Sequence, residues 1–527
     1  MENMDNFFGV RNPATGEEVA RYPSMDAAQV DEAVKRAGRI AKTWAKSSFR
    51  DRGRILKKAT SILAENASYY AQVISRENGK TQLDAMLADI YPSCDVIHYY
   101  AENARKFLKP VRVSGNALLP GRKCYYTFEP RGVIGIIAPW NYPFSLCVGP
   151  VATAVAAGNA VVLKPASQTT GSGIILKDIF EKAGLPEGVI QVVTGDGATT
   201  GQALVDHPDT DMLFFTGSTA VGRQVNVKAA ERLIPAVMEL GGKDVAIVTK
   251  NANLDRAAHT VVWGSFTNCG QTCIGTEICL VETSVYEAFL EKALRIVRSM
   301  KSGSGPGEVG SMTMASQLKI VEDQVADALD KGADVLTGGK RDTGGKGMYY
   351  PPTIITGTTG EMKVMTDETF GPLLPIIPYE NIDEAIEIAD STPYGLSGAV
   401  FTEDMKEGRE IARRIKTGAV NINDALITFA IPSLPFGGAK QSGTGRYHGE
   451  MGIRAFTNVK SITEFTWGWK KEFYHYPMTD GIEPALANTL RLVYSRNILK
   501  KTVSLFKLIP FMRKALVESG VVGKRKK

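Results

Sequence analysis

An α/β protein with two parallel-sheet domains is the fold class this sequence predicts, on three observations. From residue 125 onward, short β-branched runs alternate with amphipathic stretches, the βαβ rhythm of a parallel sheet. A second set of such units begins after residue 275. With 527 residues, of which 44% are hydrophobic, the chain can bury more than one core.

The elements follow in order. After the turn-rich Asn12-Pro13-Ala14-Thr15-Gly16, residues 26 to 46 place Val30, Ala33, Val34, Ala37, Ile40, Ala41 and Trp44 at helical spacing, and 50 to 74 continue similarly. The first hundred residues are therefore expected to be mostly helical. Strands are expected at 133 to 137, 160 to 164, 189 to 194, 212 to 216 and 245 to 248 in the first set. The second set has 278 to 282, 334 to 337, 373 to 378 and 397 to 401. Gly/Ser stretches near 302 to 310 and 338 to 347 read as surface loops, and no internal repeat is visible.

Composition removes several function classes. The 52 Gly and 25 Pro follow no G-x-y period, and no apolar run reaches 18 residues, which argues against a collagen-like rod and a conventional membrane span. The opening MENMDNFFGV lacks a basic region followed by an apolar stretch, so a cytoplasmic protein with reduced thiols is expected. Six cysteines without a C-x-x-C pair argue against a disulfide framework or structural zinc, and no metal is expected. Residues 491 to 527 hold 11 Lys/Arg against one acid, which leaves 51 bases and 55 acids elsewhere. A slightly acidic body speaks against nucleic acid as partner and confines the question of positive charge to the tail.

Four segments could carry chemistry. Phe214-Phe215-Thr216-Gly217-Ser218-Thr219-Ala220-Val221-Gly222 runs from an apolar strand through a glycine-bracketed turn into a helix, whose N-terminus favours an anion. The spacing is neither G-x-G-x-x-G nor a P-loop, and tight strand–helix packing explains it equally well. Cys273, in a run of small residues, offers a thiol for nucleophilic chemistry, against the bland reading of a buried apolar cysteine. Glu239 stands between an apolar stretch and the pair Gly241-Gly242; half-buried, it would have the basicity needed to activate water, and otherwise it is a solvated charge. Asn141 follows the strand at 133 to 137 and could donate to a developing oxyanion, or simply make a turn between prolines.

Their joint order is more specific than any one of them. Pro139-Trp140-Asn141-Tyr142-Pro143, Lys164-Pro165-Ala166, the Phe-Thr-Gly-Ser-Thr turn, Glu239-Leu240-Gly241-Gly242-Lys243 and Gly270-Gln271-Thr272-Cys273 come first. Glu368-Thr369-Phe370-Gly371-Pro372 and Pro435-Phe436-Gly437-Gly438 follow, then Ser442-Gly443 and Gly445-Arg446. In this order and over roughly residues 10 to 465, the chain resembles the aldehyde dehydrogenase superfamily.

The resemblance implies a Rossmann-like cofactor domain (1–110 and 131–240), an α/β catalytic domain (241–455, its last part returning to the cofactor domain) and a small β oligomerisation arm (111–130 and 456–466). Residues 467–527 would then be a C-terminal extension. It implies oxidation of an aldehyde to the carboxylic acid with NAD or NADP, in a homodimer or homotetramer. Cys273 would be the nucleophile that forms a thiohemiacetal and then a thioester, Asn141 the oxyanion donor and Glu239 the base that activates water. Lys164 and Ser167 would meet the adenosine ribose, Gly217 and Ser218 the pyrophosphate, Glu368 the nicotinamide ribose, and Phe370 the nicotinamide, with Trp140 and Leu240 also bordering the cofactor.

Two departures qualify that picture. Many NAD-preferring members have Glu where this chain has Ser167; its absence removes repulsion of a 2′-phosphate, so use of both NAD and NADP is expected. Glu450 matches a supporting carboxylate behind Glu239, but Pro150 replaces the lysine that many members pair with it. The segment Asp424 to Leu434 is apolar and lacks arginine, so apolar aliphatic or aromatic aldehydes are expected as substrates. A semialdehyde dehydrogenase, a coenzyme A-acylating enzyme and a catalytically silent structural or binding protein on the same scaffold are the alternatives. In the tail, Ile498, Leu499, Val503, Leu505, Phe506, Leu508 and Ile509 alternate with Lys500, Lys501 and Lys507. Such a helix suits either peripheral contact with an anionic membrane or packing against protein.

Overall fold

The computed structural model describes residues 6–116, 119–341, 344 and 346–520. Parts of the expected 338 to 347 loop, two residues of the expected arm, the first five residues and the terminal seven lie outside them. The backbone forms two units, Met1–Lys109 with Phe128–Val459, and Pro110–Thr127 with Lys460–Lys527.

The larger unit is α/β, built on two mainly parallel sheets. The first orders its strands Gly443–Thr444, Ala236–Glu239, Met212–Thr216, Val133–Ile137, Ala160–Lys164 and Ile190–Val192, with only Gly443–Thr444 antiparallel to its neighbour. Its central strands are covered on both faces, which is why they read as unbroken apolar runs rather than alternating ones. Val133, Ala160 and Val162 pack with Val30, Val34 and Ala37 of the helix Ala27–Trp44. Ile134, Ile136, Val161 and Leu163 share a core with Val148, Val151 and Val155 of the wholly buried helix Ser145–Ala157. Pro150 sits inside that helix without ending it.

The second sheet runs Asp334–Thr337, Thr353–Thr356, Leu373–Tyr379, Thr276–Glu282, Asp244–Val248, Gly398–Phe401 and Asn421–Ile422. The run at 245 to 248, grouped above with the first set, belongs here: it pairs in parallel with Thr276–Glu282 and Gly398–Phe401. The chain crosses between sheets at Gly241-Gly242, where a side chain would collide with the Glu368 carboxylate or the Cys273 carbonyl oxygen.

The N-terminal region is less uniformly helical than expected. Phe7–Arg11 and Glu18–Pro23 pair as an antiparallel hairpin, and the helical stretch from 50 to 74 is broken at Asn66 into Phe49–Glu65 and Ala67–Asn78. Helical structure then runs from Gln82 to Leu108, with a π-helical turn at Met86–Ile90, a geometry frequent at functional sites.

In the smaller unit, arm and extension form one body rather than two. Arg122 pairs with Glu472, donates to the Tyr474 hydroxyl oxygen at 2.7 Å and stacks over Phe465. The extension carries the helices Ile482–Tyr494 and Ile498–Glu518.

Candidate functional site

Cys273 follows an unusual backbone. Beyond the helix Leu254–Phe266, Asn268, Cys269 and Gly270 adopt φ of 52°, 57° and 71°, left-handed values that cost about 1–3 kcal/mol for a non-glycine residue unless the surroundings impose them. They are imposed here. The Asn268 side-chain amide donates to the Asn141 carbonyl oxygen at 3.0 Å and the Gln271 carbonyl oxygen at 3.1 Å, while Gln271 Nε2 donates back to the Asn268 carbonyl oxygen at 3.0 Å. A Cβ on Gly270 would strike the Gly371 backbone. Cys273 emerges half-buried, whereas Cys147, Cys269 and Cys279 are buried.

Asn141 lies just past the end of Val133–Ile137, and its side-chain Nδ2 donates to the Gln271 carbonyl oxygen at 3.1 Å, beside the cysteine loop. The structure adds three residues that sequence reasoning missed. Lys80, with no exposed surface on its side chain, pairs with the equally buried Asp89 at 2.7 Å, donates to the Asn141 carbonyl oxygen at 2.8 Å and lies over the Tyr142 ring. Asp89 accepts the Phe144 and Ser145 amides at 3.0 and 3.1 Å, and Asn78 Nδ2 donates to the Trp140 carbonyl oxygen at 2.8 Å. A buried pair of this kind fixes geometry, and removing one partner typically costs about 3–5 kcal/mol. No local signal distinguishes Lys80 and Asp89 from solvated helix charges; only the fold covers them.

Glu239 ends the strand Ala236–Glu239 and is buried, with neither carboxylate oxygen hydrogen-bonded among the described residues. Burial raises its pKa well above the usual carboxylate range, opposed only by the charge of Arg446. Burial also pushes the Cys273 thiol up, and the carboxylates of Asp244, Glu239 and Glu368 add to this. The expected partner Glu450 does not fit its role. On the short helix Gly449–Ala455, Gly449, Gly452 and Ile453 face inward, while Glu450 is exposed and pairs with Arg454 at 2.6 Å. Burial raises the pKa of Tyr447, three residues earlier, and the charges of Glu239 and Cys273 add to this.

A cleft of about 250 Å³ brings together Trp140, Asn141, Gly217, Ser218, Glu239, Leu240, Cys273, Glu368 and Phe370. The Trp140 and Phe370 rings meet edge to face at 5.4 Å, and Phe370 takes a left-handed φ of 49°. Ser218 caps the helix Thr219–Glu231 by accepting the Val221 amide, and Gly222 admits the Leu240 side chain. Glu368 accepts the Gly242 amide at 3.2 Å, while burial and the nearby Glu277 hold its pKa up at about 8. Lys164 and Ser167 do not line this cleft. Lys164 is buried at the end of Ala160–Lys164, its pKa lowered to about 8 by desolvation, and its ammonium donates to the Pro165 carbonyl oxygen. Ser167 starts the next short turn, Ser167–Thr169. Between the helices Gln202–Asp206 and Thr219–Glu231 opens a second cavity of about 670 Å³, with Gly201, against which the Lys164 side chain packs, on its wall.

A third cavity, of about 280 Å³, also reaches Cys273. Leu87, Tyr91, Tyr142, Leu146, Trp263, Ile274, Leu426, Ile427 and Phe429 line it, and Asp84 is the charged side chain among its lining residues. Burial raises the Asp84 pKa, which Lys80 and Thr81 partly offset.

Fold and site together define the class, a pyridine-nucleotide-dependent dehydrogenase. The aldehyde dehydrogenase family model matches residues 1–462, and the chain belongs to that family. It is 36% identical over 448 residues to 4,4'-diapolycopene aldehyde oxidase of Methylomonas sp, covering 85% of this chain and 83% of that protein. It is 36% identical over 461 residues to 3-sulfolactaldehyde dehydrogenase of Pseudomonas putida, covering 86% and 93%. A crystal structure of Mycobacterium tuberculosis aldehyde dehydrogenase complexed with NAD+ superposes with a TM-score of 0.83 at 35% identity, covering 87% of this chain and 95% of that one. The protein is an enzyme, an NAD(P)-dependent aldehyde dehydrogenase.

Proposed function

We propose that the enzyme oxidises apolar aldehydes to carboxylic acids by covalent catalysis at Cys273. The observation that carries this reading is that Cys273 lines both the cleft holding Glu239 and Glu368 and the apolar cavity on Leu426 to Ala430. An aldehyde occupying the cavity would present its carbonyl carbon to the sulfur; as the C–S bond forms the thiol proton passes to solvent, and the Asn141 amide and the Cys273 backbone N–H would donate to the oxyanion of the thiohemiacetal. Collapse of that adduct expels hydride and leaves a thioester. Glu239, its proton affinity raised by burial, then takes a proton from water as water adds to the thioester, and the acid departs with the thiol restored. When bound, oxidised nicotinamide supplies the hydride acceptor.

The residues present fit such a dinucleotide. The capped helix N-terminus at Ser218 suits the pyrophosphate, Glu368 a ribose, and Phe370, Trp140 and Leu240 the nicotinamide. Lys164 and Ser167 would serve the adenosine ribose. Ser167 adds no negative charge beside Lys164, so the specificity constants for NAD and NADP should lie within about 100-fold, or about 2.7 kcal/mol, of each other. A larger preference for NAD would overturn dual use. Because desolvation brings the lysine's pKa down to about 8, the KM for NADP should rise as pH passes 8 and the cation is lost.

For the aldehyde, an apolar cavity with Asp84 as its charged lining residue offers no cation to a carboxylate or sulfonate. The likeness to a 4,4'-diapolycopene aldehyde oxidase supports the apolar reading; the likeness to a 3-sulfolactaldehyde dehydrogenase keeps anionic aldehydes, semialdehydes among them, as the competing one. We expect kcat/KM for hexanal and benzaldehyde to exceed that for succinic semialdehyde by about tenfold or more, with Asp84→Asn narrowing the gap by removing like-charge repulsion. Succinic semialdehyde preferred by a wide margin would reverse the assignment. We also place the enzyme in the cytoplasm as a homodimer or homotetramer joined through the strands Val111–Val113, Arg122–Pro130 and Thr457–Phe465.

A further inference from the structure

The family match ends at residue 462, and the two C-terminal helices lie beyond it. They pack on each other as a hairpin across Ser495-Arg496-Asn497, with Ala485, Asn488, Ser504 and Leu508 buried. At 100° per residue, Ser504 and Leu508 define one side of the helix Ile498–Glu518. Leu499, Val503, Phe506, Ile509 and Val517 fall on the opposite side, where Leu499 is 77% and Phe506 65% exposed. Lys500, Lys507 and Lys514 recur every seven residues and so line the edge of that apolar face next to Val503, while Arg513 lies within it.

An outward apolar face of this breadth is the mark of an interaction surface. Two properties choose its occupant. The segment from 491 onward carries ten more positive than negative charges, so a second copy of the same tail would be repelled while an anionic surface would be attracted. Lysines along one edge of an apolar stripe also match a helix lying at the headgroup level, its apolar side in the acyl boundary. No helix among the described residues is long and apolar enough to cross a membrane. We propose that the helix Ile498–Glu518 docks the enzyme peripherally on an anionic lipid bilayer. The surface would hold the enzyme where apolar aldehydes concentrate, a benefit that rests on the substrate reading above; the docking itself does not.

The test is co-sedimentation of the full-length enzyme with vesicles of phosphatidylcholine alone and with about one-third phosphatidylglycerol. Wild type should pellet with the anionic vesicles and be largely released by high salt. A Phe506→Ser/Ile509→Ser variant and a Lys500→Glu/Lys507→Glu variant should each bind about tenfold more weakly or worse. Both change exposed side chains, so turnover of hexanal without vesicles should remain near wild type and report that the enzyme is folded. Absence of wild-type binding, or equal pelleting of all three proteins, would overturn the proposal. So would a smaller oligomer for the Phe506→Ser/Ile509→Ser variant without any vesicle binding by wild type, which would make a second copy the occupant. Loss of hexanal oxidation in wild type with vesicle binding intact would refute the substrate reading and leave this one standing.

Discussion

Replacing Cys273 by serine should lower NAD(P)H formation from hexanal by about 10³-fold or more, equivalent to about 4 kcal/mol of transition-state stabilisation. A hydroxyl is a far poorer nucleophile than a thiolate at neutral pH, and the surroundings of residue 273 already oppose an anion: burial and three carboxylates push even the thiol upward. The side chain is half-buried and close in size to serine, so the fold and dinucleotide affinity should survive. The measurement is steady-state dinucleotide reduction beside a fluorescence titration of the cofactor. Undiminished turnover would remove the covalent mechanism altogether; lost affinity together with lost turnover would point to a damaged cleft.

The second large effect is expected at Glu239. In Glu239→Gln the thioester should still form but hydrolyse slowly, so rapid mixing should show a burst of about one dinucleotide reduced per active site before a steady state about 10²- to 10³-fold below wild type. The pH dependence follows from the same burial. A carboxyl whose pKa is raised stays protonated through the range where an ordinary glutamate has ionised, so its basic form appears only at higher pH. Wild-type kcat should therefore rise with pH above the usual carboxylate range and level off, and the glutamine variant should lose that rise. A variant with neither burst nor turnover would assign Glu239 to the first chemical step instead of the last.

How far the sequence could be read depended on whether local pattern carried the information. Val133–Ile137, Ala160–Lys164 and Met212–Thr216 were legible because strands buried on both faces leave uninterrupted apolar runs. Asp244–Val248 was equally legible as a strand but was placed in the wrong sheet, since pairing partners are set by the crossover at Gly241-Gly242 and not by the run itself. The hairpin of Phe7–Arg11 and Glu18–Pro23 was missed because its residues are mostly exposed and show little apolar alternation. Within the site, motif order brought Cys273, Glu239, Asn141, Glu368 and Phe370 to one cleft, whereas Lys80 and Asp89 look like any solvated pair until the fold closes over them. Glu450 shows the complementary limit: motif order marks it, but motif order does not show that on the helix Gly449–Ala455 it is exposed and pairs with Arg454.

The helical run from Gln82 to Leu108 has two duties on one rod. Asp84, Leu87 and Tyr91 wall the apolar cavity at Cys273, while Asp89, in the π turn, accepts the Phe144 and Ser145 amides and pairs with the lysine that holds the Asn141 carbonyl. The shape of the cavity and the placing of Asn141 are thus mechanically linked on this side. On the opposite wall Phe429 packs against Phe436, Tyr447 and His448, so Leu426, Ile427 and Ala430 are the positions at which to widen the cavity for bulkier aldehydes.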